Sequence, residues 1–402
     1  MTATLTTLDN ILKEDYLGPI REQVYSSHIL LSRLEKNEED VGGQQATVPL
    51  HTARNSGVGA RADGGALPSA GNQSYAQAVY NCAYNYGRIQ VSGPVIKASK
   101  KNKYAFVRAI ESEIKGMVKD LKDDLNRQLH GDGSGVLGLV NGDPATGTTL
   151  TMDNPGTQYI NKGMILNIVD DSSTTAGDSR ANVGDKIVGS KTSATACEVT
   201  EAFHADAADD DYVVRKGSYA LEMMGLLGIV NNSNPRAGLY VGAINRSTAG
   251  NEYWDASVDS NSGTLRPLTL DLMQTSWDAA EEEGGEISLV LTTRAVRRKY
   301  LRLVRADGRF VNTMTLDGGF DALEYNGKPL AVDRHCMPNR IYFLDESTLA
   351  LYRMSDLDWM DEDGAILSRV TGYDAYEAVL YFYATLGCGA CNKNALLSDI
   401  EI

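Results

Sequence analysis

Cysteine and histidine are scarce, five residues of each among 402, and that scarcity narrows the thiol and metal chemistry open to the chain. Cys82, Cys197 and Cys336 stand alone, while Cys388 and Cys391 form a single CxxC with no second pair and no histidine nearby. Neither a zinc motif nor a disulfide framework is spelled out. His28, His51, His130, His204 and His335 show no metal-ligand spacing. No apolar run approaches the roughly 18 to 20 residues that cross a bilayer. The start, MTATLTTLDNILKEDY, has neither the basic region nor the apolar stretch of a secretory signal. Positive charge is short as well: 38 Lys and Arg against 53 Asp and Glu leave a net charge of −15. Readers of nucleic acid carry the opposite balance, so contact with DNA is expected to be indirect or confined to small patches.

What is present is organised in blocks, and the length suits about two or three domains. Leu5, Leu8, Leu12, Tyr16, Ile20, Val24 and Leu31 follow helical spacing around a break at Gly18 and Pro19, which reads as an amphipathic arm over 1–41. From 42 to 98, β-like runs (ATVPLHTA and YAQAVYNCAYNYGRIQVSG) flank a Gly-, Ser- and Ala-rich tip, an extended hairpin. Between Gln44 and Ser99 the only acid is Asp63, against Arg54, Arg61, Arg88 and Lys97. A loop so long and so poor in large apolar residues cannot fold on itself, and its charge suits an acidic neighbour.

Phe106, Ile110, Ile114, Met117, Leu121, Leu125 and Leu129 recur every three or four residues, so the spacing predicts a helix over 102–130, with Gly131 as a left-handed stop. Residues 141–220 carry short β-like runs between Gly, Thr, Asp and Asn turns and include the acidic run Asp209, Asp210, Asp211. They read as a small acidic all-β domain whose acidic run is a solvated face, since the twelve-residue calcium-loop pattern is missing. The remainder alternates helix (268–283), strand (287–291), a basic helix (293–306) and further strands, an α+β core. Arg294, Arg298, Arg302, Arg305 and Arg309 fall in one stripe of that basic helix.

NRQLHGDGSGVLG contains GxGxxG at Gly133, Gly135 and Gly138. A dinucleotide cradle needs a strand before these glycines and a helix after them; here a helix precedes and a turn follows. His130 and Asp132 lack any nucleophile in a recognisable setting, and there is no G-x-S-x-G or H-E-x-x-H. Neither an enzymatic centre nor a cofactor is expected. His335 and Cys336, adjacent in an extended strand, point to opposite faces.

The order of parts resembles the major capsid proteins of tailed double-stranded DNA phages, whose fold is also used by encapsulins and the herpesvirus capsid floor. NRQLHGDGSG is similar to the end of that family's spine helix and its glycine turn (Gly131, Gly133, Gly135). NGKPLAVDRHCMPNRIYFLD resembles its Gly-x-Pro strand (Gly327, Pro329), Met-Pro turn (Met337, Pro338) and strand ending in an acid (Asp345). The final YEAVLYFYATLGCGACNKNALLSDI is similar to its closing β-hairpin.

The resemblance implies an α+β tailed-phage major capsid fold: N-arm 1–41, extended loop 42–98, spine helix 99–135, mainly axial domain 221–345, and closing peripheral and axial strands 346–402. Gly135-Val-Leu-Gly-Leu-Val140 is echoed by Gly225-Leu-Leu-Gly-Ile-Val230, so 141–220 is expected to be an insertion. The implied function is structural: pentamers and hexamers closing an icosahedral shell around packaged DNA, in a virion assembled in the host cytoplasm. Implied partners are further copies, a separate scaffolding protein, a portal protein, nonspecifically contacted double-stranded DNA, and optionally a decoration protein. Arg54, Arg61, Arg88, Arg294, Arg298 and Arg302 are the candidate subunit contacts. No lysine occurs from Gln44 to Ile96, so the lysine–asparagine crosslink of some members is not implied. The alternatives are an encapsulin-type nanocompartment and, from another class, a nucleotide-dependent oxidoreductase.

Overall fold

The computed structural model describes residues 28–94, 103–144, 147–180, 182–236, 238–306, 313–316, 320–361 and 368–402. The helical arm expected before His28 lies outside them; a one-turn helix, α1 (Ile29–Arg33), follows it.

The longest helix, α2 (Lys103–Leu129), ends one residue earlier than the apolar repeat predicts, and Lys103 is its first described residue. The helix is about 40 Å long at 1.5 Å per residue, and Ile114, Val118, Leu121, Leu125 and Leu129 are buried along one side of it. Beneath it runs a five-stranded sheet in which β20 (Ala375–Cys388) pairs with β18 (Leu349–Trp359) on one side and β5 (Ala83–Ser92) on the other. The buried side of β5 starts with the small or polar Ala83, Asn85 and Gly87 and continues with Ile89, while Tyr84 and Tyr86 face outward. The helix needs that small surface: a Cβ at Gly87 would lie 3.0 Å from Met117 Sδ.

The expected hairpin is corrected on its return side. β3 (Gln45–Ala53) pairs antiparallel with β4 (Ser74–Asn81), but β5 leaves the hairpin to join β20. Burial alternates through Ala78 and Tyr80, then slips at Cys82 and Ala83, which are both buried. The slip exchanges inner and outer faces, so one continuous strand cannot serve both sheets.

A seven-stranded sheet includes β13 (Leu289–Thr292), β16 (Lys328–Val332), β17 (Ile341–Leu344) and β21 (Ala395–Leu397). Their continuous apolar runs are strands covered on both faces. Val290, Ile341, Phe343, Ala395 and Leu397 pack with α4 (Leu270–Glu282) and α5 (Arg294–Ala306), and Leu289, Leu291, Tyr342, Leu344 and Leu396 join the main core. Thr269 caps α4, its hydroxyl accepting the Leu272 N–H at 3.1 Å. Since β20 and β21 belong to different sheets, the chain does not close in the expected hairpin.

A six-stranded sheet lies within residues 136–215 and encloses its own core, including Leu150, Ile168, Val188, Cys197 and Phe203. Its first strand, β6 (Val136–Leu139), pairs with its last, β11 (Tyr212–Arg215), so the chain enters and leaves side by side. The sequence echo does not extend to structure. Residues 136–139 are a strand, whereas α3 (Leu226–Ile229) is one helical turn seated on the end of α2. A Cβ at Gly225 would meet Gln128 O at 2.3 Å, an approach open only to glycine.

Candidate interaction surfaces

The tip between β3 and β4 is open to solvent. Arg54 and Arg61 are exposed, and so are Val58 and Leu67, at 79% and 86%. Its internal bonds are local ones, such as Gly57 N–H to Asn55 Oδ1 and Gly65 N–H to Ala62 O. Arg88 is not part of this surface: it lies on β5, where its Nε donates to Glu377 Oε2 of β20 at 2.7 Å. The chain itself neutralises that charge.

Helix α5 has two faces. Val296, Tyr300 and Val304 are buried against the seven-stranded sheet, and the Tyr300 hydroxyl donates to Glu324 O at 2.9 Å. Arg294, Arg298, Arg302 and Arg305 line the opposite, exposed side, and no described residue forms an ion pair with them. Arg309 lies outside the described residues.

The turn after α2 lacks the strand-turn-helix setting of a dinucleotide cradle, since Gly133 and Gly135 follow a helix and Gly138 lies within β6. Gly133 and Gly135 have φ of +80° and +76°. Gly131 is not among the left-handed glycines, which corrects its expected role as the stop. The helix closes with His130 N–H to Arg127 O and Gly131 N–H to Gln128 O, three-residue bonds that keep the backbone right-handed. Asp132 accepts the Ser134 N–H at 3.0 Å and stands 3.4 Å from Arg236; its contacts build a turn.

Acids in the six-stranded unit are partly structural. Asp211 is buried and receives Arg180 through two bonds of 2.6 and 2.7 Å, and Asp209 accepts the Gly142 N–H. The expected solvated face holds for exposed Asp209 and Asp210 but not for Asp211.

Two buried polar groups join α2 to the rest. Arg127 lies between Glu222, at 2.6 Å, and Asp124, at 3.0 Å, and Arg215 reaches Asp124 at 3.0 Å. Burial alone would raise the Asp124 carboxyl, yet these two guanidiniums hold it below the usual range. The second group unites residues from opposite ends of the sequence. Asn126 Nδ2 stands 2.9 and 3.1 Å from the Asp333 oxygens and 2.8 Å from His335 Nδ1, and His28 packs on His335 with ring centroids 5.7 Å apart. Burial lowers the His28 imidazole and pushes that of His335 down to about 4. Local spacing could not reveal this cluster, because its members meet only through the fold. Cys388 and Cys391 are buried free thiols, and Cys388 N–H donates to the Tyr80 hydroxyl at 3.0 Å.

No protein-family model and no curated protein matches the sequence. The structure is similar to the cyanophage A-1(L) capsid asymmetric unit, with a TM-score of 0.58, 14% identity and 92% of each chain covered. Two other similar structures are the capsid of Myoviridae phage XM1 (TM-score 0.46, 9% identity, 92% and 91% covered) and the holo-SrpI encapsulin complex of Synechococcus elongatus PCC 7942 (0.46, 9%, 92% and 87%). The cyanophage likeness spans nearly the whole of both chains, so this chain has the tailed-phage major capsid fold, mixed helix and sheet.

Proposed function

We propose that this chain is the major capsid protein of a tailed double-stranded DNA phage, a structural subunit and not an enzyme. Copies assemble into pentamers and hexamers that close an icosahedral shell. The observation that carries this reading is the likeness to the cyanophage capsid subunit over 92% of both chains. An open basic hairpin tip supports it: Val58 and Leu67 gain nothing exposed on a monomer, and an acidic neighbouring copy would cover them and meet Arg54 and Arg61. Weak contacts suffice when many form at once. The arginine stripe of α5 is a second subunit contact in this reading, and Arg88, exposed although paired with Glu377, is a third.

The six-stranded unit is read as an insertion, supported by its private core and adjoining ends. A scaffolding protein and a portal protein would complete assembly in the host cytoplasm, with packaged DNA touched nonspecifically and a decoration protein optional.

Sedimentation velocity over a concentration series tests the reading, with the protein alone and with its candidate scaffolding protein. Capsomer-sized or shell-sized species that grow with concentration are expected; a monomer at every concentration under both conditions refutes it.

A further inference from the structure

We propose that His28, Asp333 and His335, with Asn126 beside them, form a binding site for one zinc-class divalent cation per chain. The site draws on three segments: the residue before α1, the last turns of α2, and the loop between β16 and β17. One ligand atom from each of His28, Asp333 and His335 lies within 4.8 Å of the others. Bonds of about 2.0–2.2 Å in a tetrahedral zinc site put ligands roughly 3.3–3.6 Å apart, so side-chain rotation of about an ångström closes the set.

The hydrogen-bond balance favours a cation. Both Asp333 oxygens and His335 Nδ1 converge on the Asn126 amide nitrogen, and Asp333 Oδ1 also accepts the His335 backbone N–H at 2.8 Å. His28 Nε2 and Asn126 Oδ1 are buried with no hydrogen bond, His28 Nε2 standing 3.4 Å from Asp123 Oδ1. Nitrogen and oxygen of an amide exchange places by a half-turn, and that turn would offer Oδ1 as a fourth ligand. Two imidazoles with a carboxylate select zinc and its first-row neighbours over calcium or magnesium, which prefer all-oxygen sites. Arg334, whose Nε is 3.2 Å from His335 Nε2, is half-exposed and already pairs with Asp123 at 2.6 Å. An ion here would tie the N-terminal segment to the long helix and the central sheet, whether or not the chain builds a shell.

The test uses the full chain, stripped with a chelator, dialysed, and titrated with zinc chloride and separately with cobalt chloride. One ion per chain is expected, with a visible cobalt spectrum of nitrogen and oxygen ligation and no sulfur charge-transfer band. His28→Gln should weaken zinc binding by at least about 10-fold, and Asp333→Asn should do the same. Should buried Asp333→Asn fail to fold, the half-buried His28 position decides alone. Unchanged affinity in His28→Gln, binding well below one ion per chain, or a thiolate band placing the ion at Cys388 and Cys391 would overturn the proposal.

Discussion

Gly225 and Gly135 are fixed by different forces. At Gly225 the obstacle is contact, since a Cβ would strike the carbonyls that end α2. At Gly135 it is also the backbone, with φ of +76° and Ser218 O at 2.7 Å from an added Cβ. Gly135→Ala should therefore cost about 1–3 kcal/mol. Gly131→Ala, right-handed and 3.3 Å from the nearest atom, should cost much less; equal losses in chemical denaturation of the unassembled subunit would contradict this. Arg127→Leu leaves Glu222 buried without its cation, and a loss of about 3–5 kcal/mol is expected. Adding Glu222→Gln should recover part of it; no recovery would mean that Arg127 acts by packing alone. The glycine turn was legible in NRQLHGDGSG, but not which glycine turns left, because a three-residue closure and a left-handed cap leave the same trace. His28, Asn126, Asp333 and His335 were illegible as a group, since each has an ordinary local context and only folding brings them together.

Helices and doubly covered strands were the readable elements. The apolar spacing along α2 places its C-terminal end to within one residue, because one buried face fixes both period and phase. ISLVL reads as a buried strand, as its two-sided packing requires, whereas IYFL reads as a strand without its burial being evident. The passage from β4 to β5 is not legible in the sequence: over Ala83–Gly87 the tyrosines face outward and the small residues are buried, so hydrophobicity marks the wrong side there. Solvent-exposed surface changes usually stay within about 0.5 kcal/mol. Arg54→Glu with Arg61→Glu should thus leave subunit melting nearly unchanged while assembly, followed by light scattering, falls sharply; parallel loss of both would make the tip part of the core. The same contrast is expected for Arg298→Glu with Arg302→Glu on α5, where Val296, Tyr300 and Val304 hold the helix in place.

At the scale of the molecule, the parts left over from folding define the function. The main core, the helix-covered sheet and the six-stranded unit each enclose a cluster of buried apolar residues. The hairpin tip and the arginine stripe remain, and both are basic in a chain of net charge −15. In the proposed assembly, acidic surface on one copy would meet these basic projections on another, and association would weaken with salt. Negative-stain electron microscopy of the purified protein, alone and after co-expression with its candidate scaffolding protein, tests the central claim most directly. Closed icosahedral shells or five- and six-membered rings are the predicted result, and fields of single subunits under both conditions would contradict it.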